Sequence, residues 1–155
     1  MITLKIEGVK ELQASFDKSP ALIAKQITDA IRKSTVVIKQ NVARKAPVDI
    51  GNLKRSVDNK VTNMRGEVGI YGNAMKYGYV QEFGRKPGGR MPPVDALKGW
   101  ARRKLGDENL AFPVARSIAK KGTKPQPFFE PGVKQSMPSV NKFIEKAGLK
   151  IVKEL

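Results

Sequence analysis

Ala46-Pro47-Val48-Asp49-Ile50-Gly51-Asn52-Leu53-Lys54-Arg55-Ser56 decides how this chain folds. Upstream lies the longest basic amphipathic run, and downstream the most strand-like part of the sequence. Pro47 cannot continue a helix, and it pushes Ala46 out of the α region. Gly51 can take the positive φ that a tight turn needs. Asp49 and Asn52 carry short polar side chains able to close a turn on nearby backbone. The stretch reads as a corner where a long helix hands over to a sheet, with Pro47, Asp49 and Gly51 as its structural residues.

Working back from the corner, Pro20 is suited to the first turn of a helix and Ser19 to its N-cap. Ile23, Ile27, Ile31, Ile38 and Val42 fall on one stripe, while Lys25, Arg32 and Lys39 form a separate basic row. Further upstream, Val9, Leu12 and Phe16 have the spacing of a short helix. The start, Met1 to Glu7, alternates apolar and polar residues, with Ile2, Leu4 and Ile6 on one strand face. That is a strand pattern and not a signal peptide, so a cytoplasmic site of synthesis is expected.

Working forward, Ser56 to Asn63 and Glu67 to Tyr71 read as the two strands of a β-hairpin turning at Asn63-Met64-Arg65-Gly66. A short helix then ends at Gly84, a natural C′ residue, and brings Tyr77, Tyr79 and Phe83 together. Arg85-Lys86-Pro87-Gly88-Gly89-Arg90 is a mobile basic loop without phosphate-loop spacing. Every charged residue from Arg85 to Gly106 is basic except Asp95. Pro92-Pro93 start a helix whose Val94, Leu97, Ala101 and Leu105 face inward and which Gly106 stops. Asp107 caps a further helix carrying Leu110, Val114 and Ile118 on one face, ending at Lys120-Lys121-Gly122. Lys124 to Pro131 must be extended, since its prolines fit neither a helix interior nor a central strand, with Phe128 and Phe129 as anchors. Val133, Met137, Val140, Ile144, Ala147, Ile151 and Leu155 then mark a terminal amphipathic helix over about 133–154. Its spacing suits packing on the chain itself as well as on a neighbouring subunit.

The expected fold class is α+β: a small antiparallel sheet with a β-hairpin packed against a long α-helix, plus additional helices and a C-terminal helix. A length of 155 residues fits a single domain over 1–155, with the basic loop and helix at about 85–106 as an insertion. Lys+Arg number 30 against 14 Asp+Glu, a formal net charge of +16. Such an excess points to a polyanion, an acidic partner or an anionic surface. With no Cys and no His, the chain lacks thiolate chemistry, the usual general base and the commonest metal ligands. Asp49 and Glu82 are the remaining candidates for acid–base work. Each has an ordinary structural reading, Asp49 as a turn residue and Glu82 as the partner of a nearby Lys or Arg. No enzymatic activity, cofactor or metal is expected, and no apolar run approaches the ~20 residues of a membrane span.

The corner pattern, A-P-V-D-[TI]-G-x-L-[KR]-x-S, resembles that of a phage neck or tail-completion family, the minor tail components of lambdoid-type long-tailed siphophages. Further segments resemble the same family in the same order: Gly8-Val9-Lys10-Glu11-Leu12, Tyr77 to Gly84, Met91 to Trp100 and Ala115 to Pro131. Ile50 departs from the Thr common at its position, and Arg85 from the Thr that often follows the Phe-Gly pair. The resemblance implies a structural virion protein at the head–tail junction or tail end, assembled as a ring around the DNA channel. The partners it implies are other neck and tail proteins (tail terminator, tail tube, head-closure proteins), further copies of itself, and genomic DNA touched non-specifically, with no membrane. Its place would be the virion, and the host cytoplasm during assembly, whether from a phage or a prophage.

For DNA-facing charge the candidates are Arg85, Lys86, Arg90, Arg102 and Arg103; for subunit or partner contact they are Tyr79, Phe83, Phe128 and Phe129. Two alternatives stand beside this reading. One is a basic nucleic-acid-binding protein unrelated to the virion, using Pro20 to Lys45 and Arg85 to Lys104. The other is a neighbouring neck ring such as a tail terminator.

Overall fold

The computed structural model describes residues 19–154. The strand expected at Ile2, Leu4 and Ile6, the helix at Val9 to Phe16 and the Gly8 to Leu12 segment lie outside the described residues. In chain order the elements are α1 (Pro20–Lys45), α2 (Asn52–Ser56), β1 (Val57–Thr62), β2 (Arg65–Ile70), α3 (Ala74–Phe83), α4 (Val94–Leu105), a 3-10 turn (Glu108–Leu110), α5 (Ala111–Lys121) and α6 (Phe129–Glu154). The fold is α+β, with β1 and β2 paired as a hairpin. The contacts gather the chain into two compact units. Of the described residues, the first takes 19–41, Asn59–Gly69 and 133–154; the second takes Val42–Asp58 and Ile70–Gly132.

In the first unit the hairpin packs on α1. Asn59 donates its side-chain amide to the Thr35 hydroxyl at 3.1 Å. The turn is the two-residue pair Asn63-Met64, both at positive φ (42° and 58°), as a tight hairpin requires. Gly66, expected in the turn, instead belongs to β2. A Cβ there would stand 2.5 Å from Thr35 Cγ2 and 2.6 Å from Ile31 Cγ2, so the glycine sets how closely strand and helix approach.

The α1 face under the hairpin is less apolar than the isoleucine stripe predicts. Ala30, Ser34 and Thr35 are its buried positions. Ser34 and Thr35 bury without penalty because their hydroxyls donate to the Ala30 and Arg32 carbonyls at 2.8 and 3.0 Å. Helix α6 lies antiparallel to α1 in this unit: Asn41 donates to the Ser136 hydroxyl at 2.9 Å and Gln26 to the Glu154 carboxylate at 3.3 Å. The buried row of α6 differs in part from the expected one. Ala147 is buried as expected, but Ser136, outside the expected row, is buried as well, and Met137 and Ile144 are 43% and 58% exposed. Small residues allow the helices to close up, and the Asn41–Ser136 bond selects which row faces α1, so the bulky row turns outward.

In the second unit the helix boundaries follow the prolines and glycines. Pro93 precedes α4, and Gly106 ends it in the left-handed region. Asp107 caps the 3-10 turn by accepting the Asn109 N–H at 2.9 Å. Ala101 is fully buried as expected, but so are Ala111 and Ala115, smaller than the leucines expected inward, and Leu105 and Leu110 are exposed. Alanines let α4, the 3-10 turn and α5 pack closely, and Leu105 falls at the last helical position where the chain turns away. The Pro-rich segment is extended only as far as Phe128, because Phe129 already begins α6 and Pro131 fits its first turn.

Candidate functional site

All of the sequence-selected site residues lie in the second unit. Helix α1 closes with the Ala46 N–H donating to the Val42 carbonyl at 3.0 Å, and Pro47 then directs the chain out. Gly51 sits at φ 79°, ψ 6°, a left-handed conformation that a side chain would strain. The corner is fastened mainly by arginines. Arg55 donates to the Ile50 carbonyl at 3.0 Å and to Asn52 Oδ1 at 2.8 Å. Asp49, expected to bond to local backbone, instead receives Arg103 of α4 through both carboxylate oxygens. The Arg103 bond holds the Asp49 carboxyl below its usual range. Burial raises the pKa of Tyr77 on α3, and the Asp49 charge raises it further.

Helix α3 is the unusual element. Its buried residues are Gly78 and Glu82, a glycine and a carboxylate. Gly78 is buried because there is no room for more: a Cβ would stand 2.5 Å from Ile70 Cδ1 and 3.1 Å from Leu53 Cδ1. Among the described residues Glu82 has no Lys or Arg paired with it, contrary to expectation. Its oxygens accept the N–H groups of Phe128, Phe129 and Glu130 at 2.8, 2.9 and 3.1 Å. These are unpaired donors at the N-terminus of α6, where the helix dipole favours an anion. Burial is the largest single influence on Glu82 and raises its pKa, but the three N–H bonds together outweigh it and the net direction is down.

The row beside Gly78 and Glu82 faces solvent. Met75, Tyr79 and Phe83 recur every fourth residue and are 56%, 65% and 64% exposed. The Tyr79 and Phe83 rings are in contact, with centroids 4.8 Å apart. Their expected companions are placed differently. Phe128 is completely buried, and Phe129 packs on it with centroids 6.5 Å apart.

The basic candidates also divide. The loop after Gly84, expected to be mobile, is fastened: Arg85 and Thr123 exchange both backbone hydrogen bonds at 3.0 Å, and Gly88 donates to the Ala119 carbonyl at 2.8 Å. The Arg85 guanidinium folds back onto the Arg90 carbonyl, and that of Arg103 is engaged by Asp49. Lys86, Arg90 and Arg102 are exposed. The roles of Glu82 and Arg55 were missed in the sequence.

These features define the class: a small, strongly basic α+β protein that keeps aromatic side chains on its surface and a carboxylate inside. Residues 10–84 match the HK97-gp10-like family, described as "Bacteriophage HK97-gp10, putative tail-component". The phage tail-component resemblance of the sequence motifs is therefore matched independently over a stretch that includes α1, the corner, the hairpin and α3. The role that this match carries is that of a structural phage tail component. No curated protein and no solved structure matches the chain. Among the described residues, no helix is long and apolar enough to cross a membrane.

Proposed function

We propose that this protein acts in the neck of a long-tailed phage, as a tail-completion component at the head–tail junction that assembles into a ring around the DNA channel. The observation that carries the reading is the family match over residues 10–84. The motifs at Met91 to Trp100 and Ala115 to Pro131 extend the likeness beyond it. The charge supports the same reading. A ring of subunits at +16 each surrounds the passing genome with cations that touch phosphates without reading bases. Lys86, Arg90 and Arg102 are the side chains best placed for this, since Arg85 and Arg103 are committed within the unit. Such a protein catalyses nothing and works in the virion, with the host cytoplasm as its place of assembly. The other neck and tail proteins are its partners, with the whole chain acting as one domain.

Removing the gene from its phage or prophage and imaging the particles tests this. Unjoined heads and tails, or unstable tails, are the expected result. Normal infectious particles would overturn it. The net charge keeps one second reading in play, a nucleic-acid-binding protein with no place in the virion. Tight duplex binding with a steep salt slope by the purified protein, together with its absence from particles, is the result that reading requires.

A further inference from the structure

The exposed ridge Met75–Tyr79–Phe83 has a complement elsewhere in the same unit. The longest stretch of the chain without a Lys or Arg runs from Leu105 to Ala115, and it contains Asp107 and Glu108. It is also apolar and open: Leu105, Leu110 and Phe112 are 45%, 38% and 53% exposed. The ridge has the opposite charge. Lys76 stands one turn before Tyr79 and two before Phe83, on the same side of α3, and Lys86 follows the helix end; both are exposed. The only carboxylate of α3, Glu82, has both oxygens occupied by backbone N–H groups, so it adds no acceptor to the ridge.

We propose that the α3 ridge of one copy receives the Asp107-Glu108…Leu110…Phe112 segment of a second copy. Leu110 and Phe112 cover Tyr79 and Phe83, while Asp107 and Glu108 meet Lys76 and Lys86. In a chain at +16, a contact between two copies is favoured where it pairs unlike local charges, and this segment, with no Lys or Arg, sets two carboxylates beside exposed apolar side chains. The two patches are different surfaces, so the contact is head-to-tail. A contact of that kind closes into a ring when the rotation per subunit divides a full turn. The proposal rests on the ring reading above and adds which faces mate.

The chain has no cysteine, so introduced pairs report without background. The Tyr79→Cys/Phe112→Cys double variant, oxidised in assembled particles, is expected to give a ladder of covalent oligomers of this chain. Either single variant is expected to give none. In solution, Phe83→Glu and Phe112→Glu are each expected to remain monomeric by light scattering, with unchanged circular dichroism. A 1:1 mixture is expected to form a dimer and nothing larger, because only one intact pair of faces remains. Particles that contain the protein but yield no ladder overturn the contact and leave the ring reading standing. A covalent product with a different virion protein overturns it too, by giving the ridge to that protein. Particles that lack the protein overturn the ring reading itself.

Discussion

The Glu82 carboxylate accepts the Phe128 N–H at 2.8 Å and so joins the end of α3 to the start of α6. The same carboxylate also takes the next two N–H groups, so that both of its oxygens are committed to backbone. The bond explains why α3 presents aromatics outward. Gly78 and the Glu82 anion fix which row is buried, and the neighbouring row has nowhere else to go.

Glu82→Gln is expected to destabilise the protein by about 2–3 kcal/mol, since it replaces a charge-assisted acceptor by an amide that faces N–H donors with its own NH2. The pH dependence follows from the direction of the shift. The folded-state pKa lies below the ordinary value of 4.5. The contribution is therefore fully present above that value and is lost as pH falls through the folded pKa. Acid unfolding followed by circular dichroism should show a component below about pH 4.5 in wild type that the variant lacks. An identical acid limb in both proteins would remove Glu82 from this role.

Two glycines of α6 should respond with opposite sign to the same change. At Gly132 a Cβ would stand 2.6 Å from the Val42 Cα and 2.8 Å from its nitrogen, and backbone does not move aside cheaply. Gly132→Ala is expected to cost about 2 kcal/mol or more in urea unfolding. At Gly148 a Cβ would meet nothing within 4 Å. Gly148→Ala is expected to stabilise by about 0.5–1 kcal/mol, because alanine is the better helix former.

Much of this arrangement was legible in the sequence wherever a residue acts on its own backbone. Pro20, Gly84, Gly106 and Gly122 mark helix boundaries in the positions their chemistry demands, and the hairpin follows from alternation on either side of Asn63-Met64. What was not legible depends on partners distant in sequence. Nothing near Asp49 announces Arg103, and nothing near Glu82 announces the N–H groups 46 to 48 residues later. The exposed bulky row of α6 had the same cause. The heptad-like spacing of Met137 and Ile144 was real, but the polar contact at Ser136 and the small side chains beside it determined which row is buried.

The arginines of α4 should separate in a DNA titration. Arg102 is exposed, and Arg103 is held by Asp49 through both oxygens. Arg102→Ala is expected to lower the salt slope of non-specific duplex binding by about one unit, the loss of one phosphate contact. Arg103→Ala is expected to change the slope less and to let the Asp49 carboxyl return toward its ordinary pKa, read by NMR titration. Equal effects on the slope would mean that Arg103 leaves Asp49 to bind phosphate.

Met64 gives the sharpest backbone test. It occupies the second turn position at φ 58°, where a side chain is disfavoured and glycine is the usual choice, and it is half exposed, so little burial is at stake. Met64→Gly is expected to raise stability by about 0.5–1 kcal/mol: relief of the left-handed strain outweighs the greater freedom glycine gives the unfolded chain. Asn63 tolerates the same region through its short polar side chain, so Asn63→Ala should act in the opposite direction. The pair is read by urea midpoints at constant m-value. A loss of stability in Met64→Gly would mean that the methionine side chain holds the hairpin tip by contacts stronger than its exposure allows.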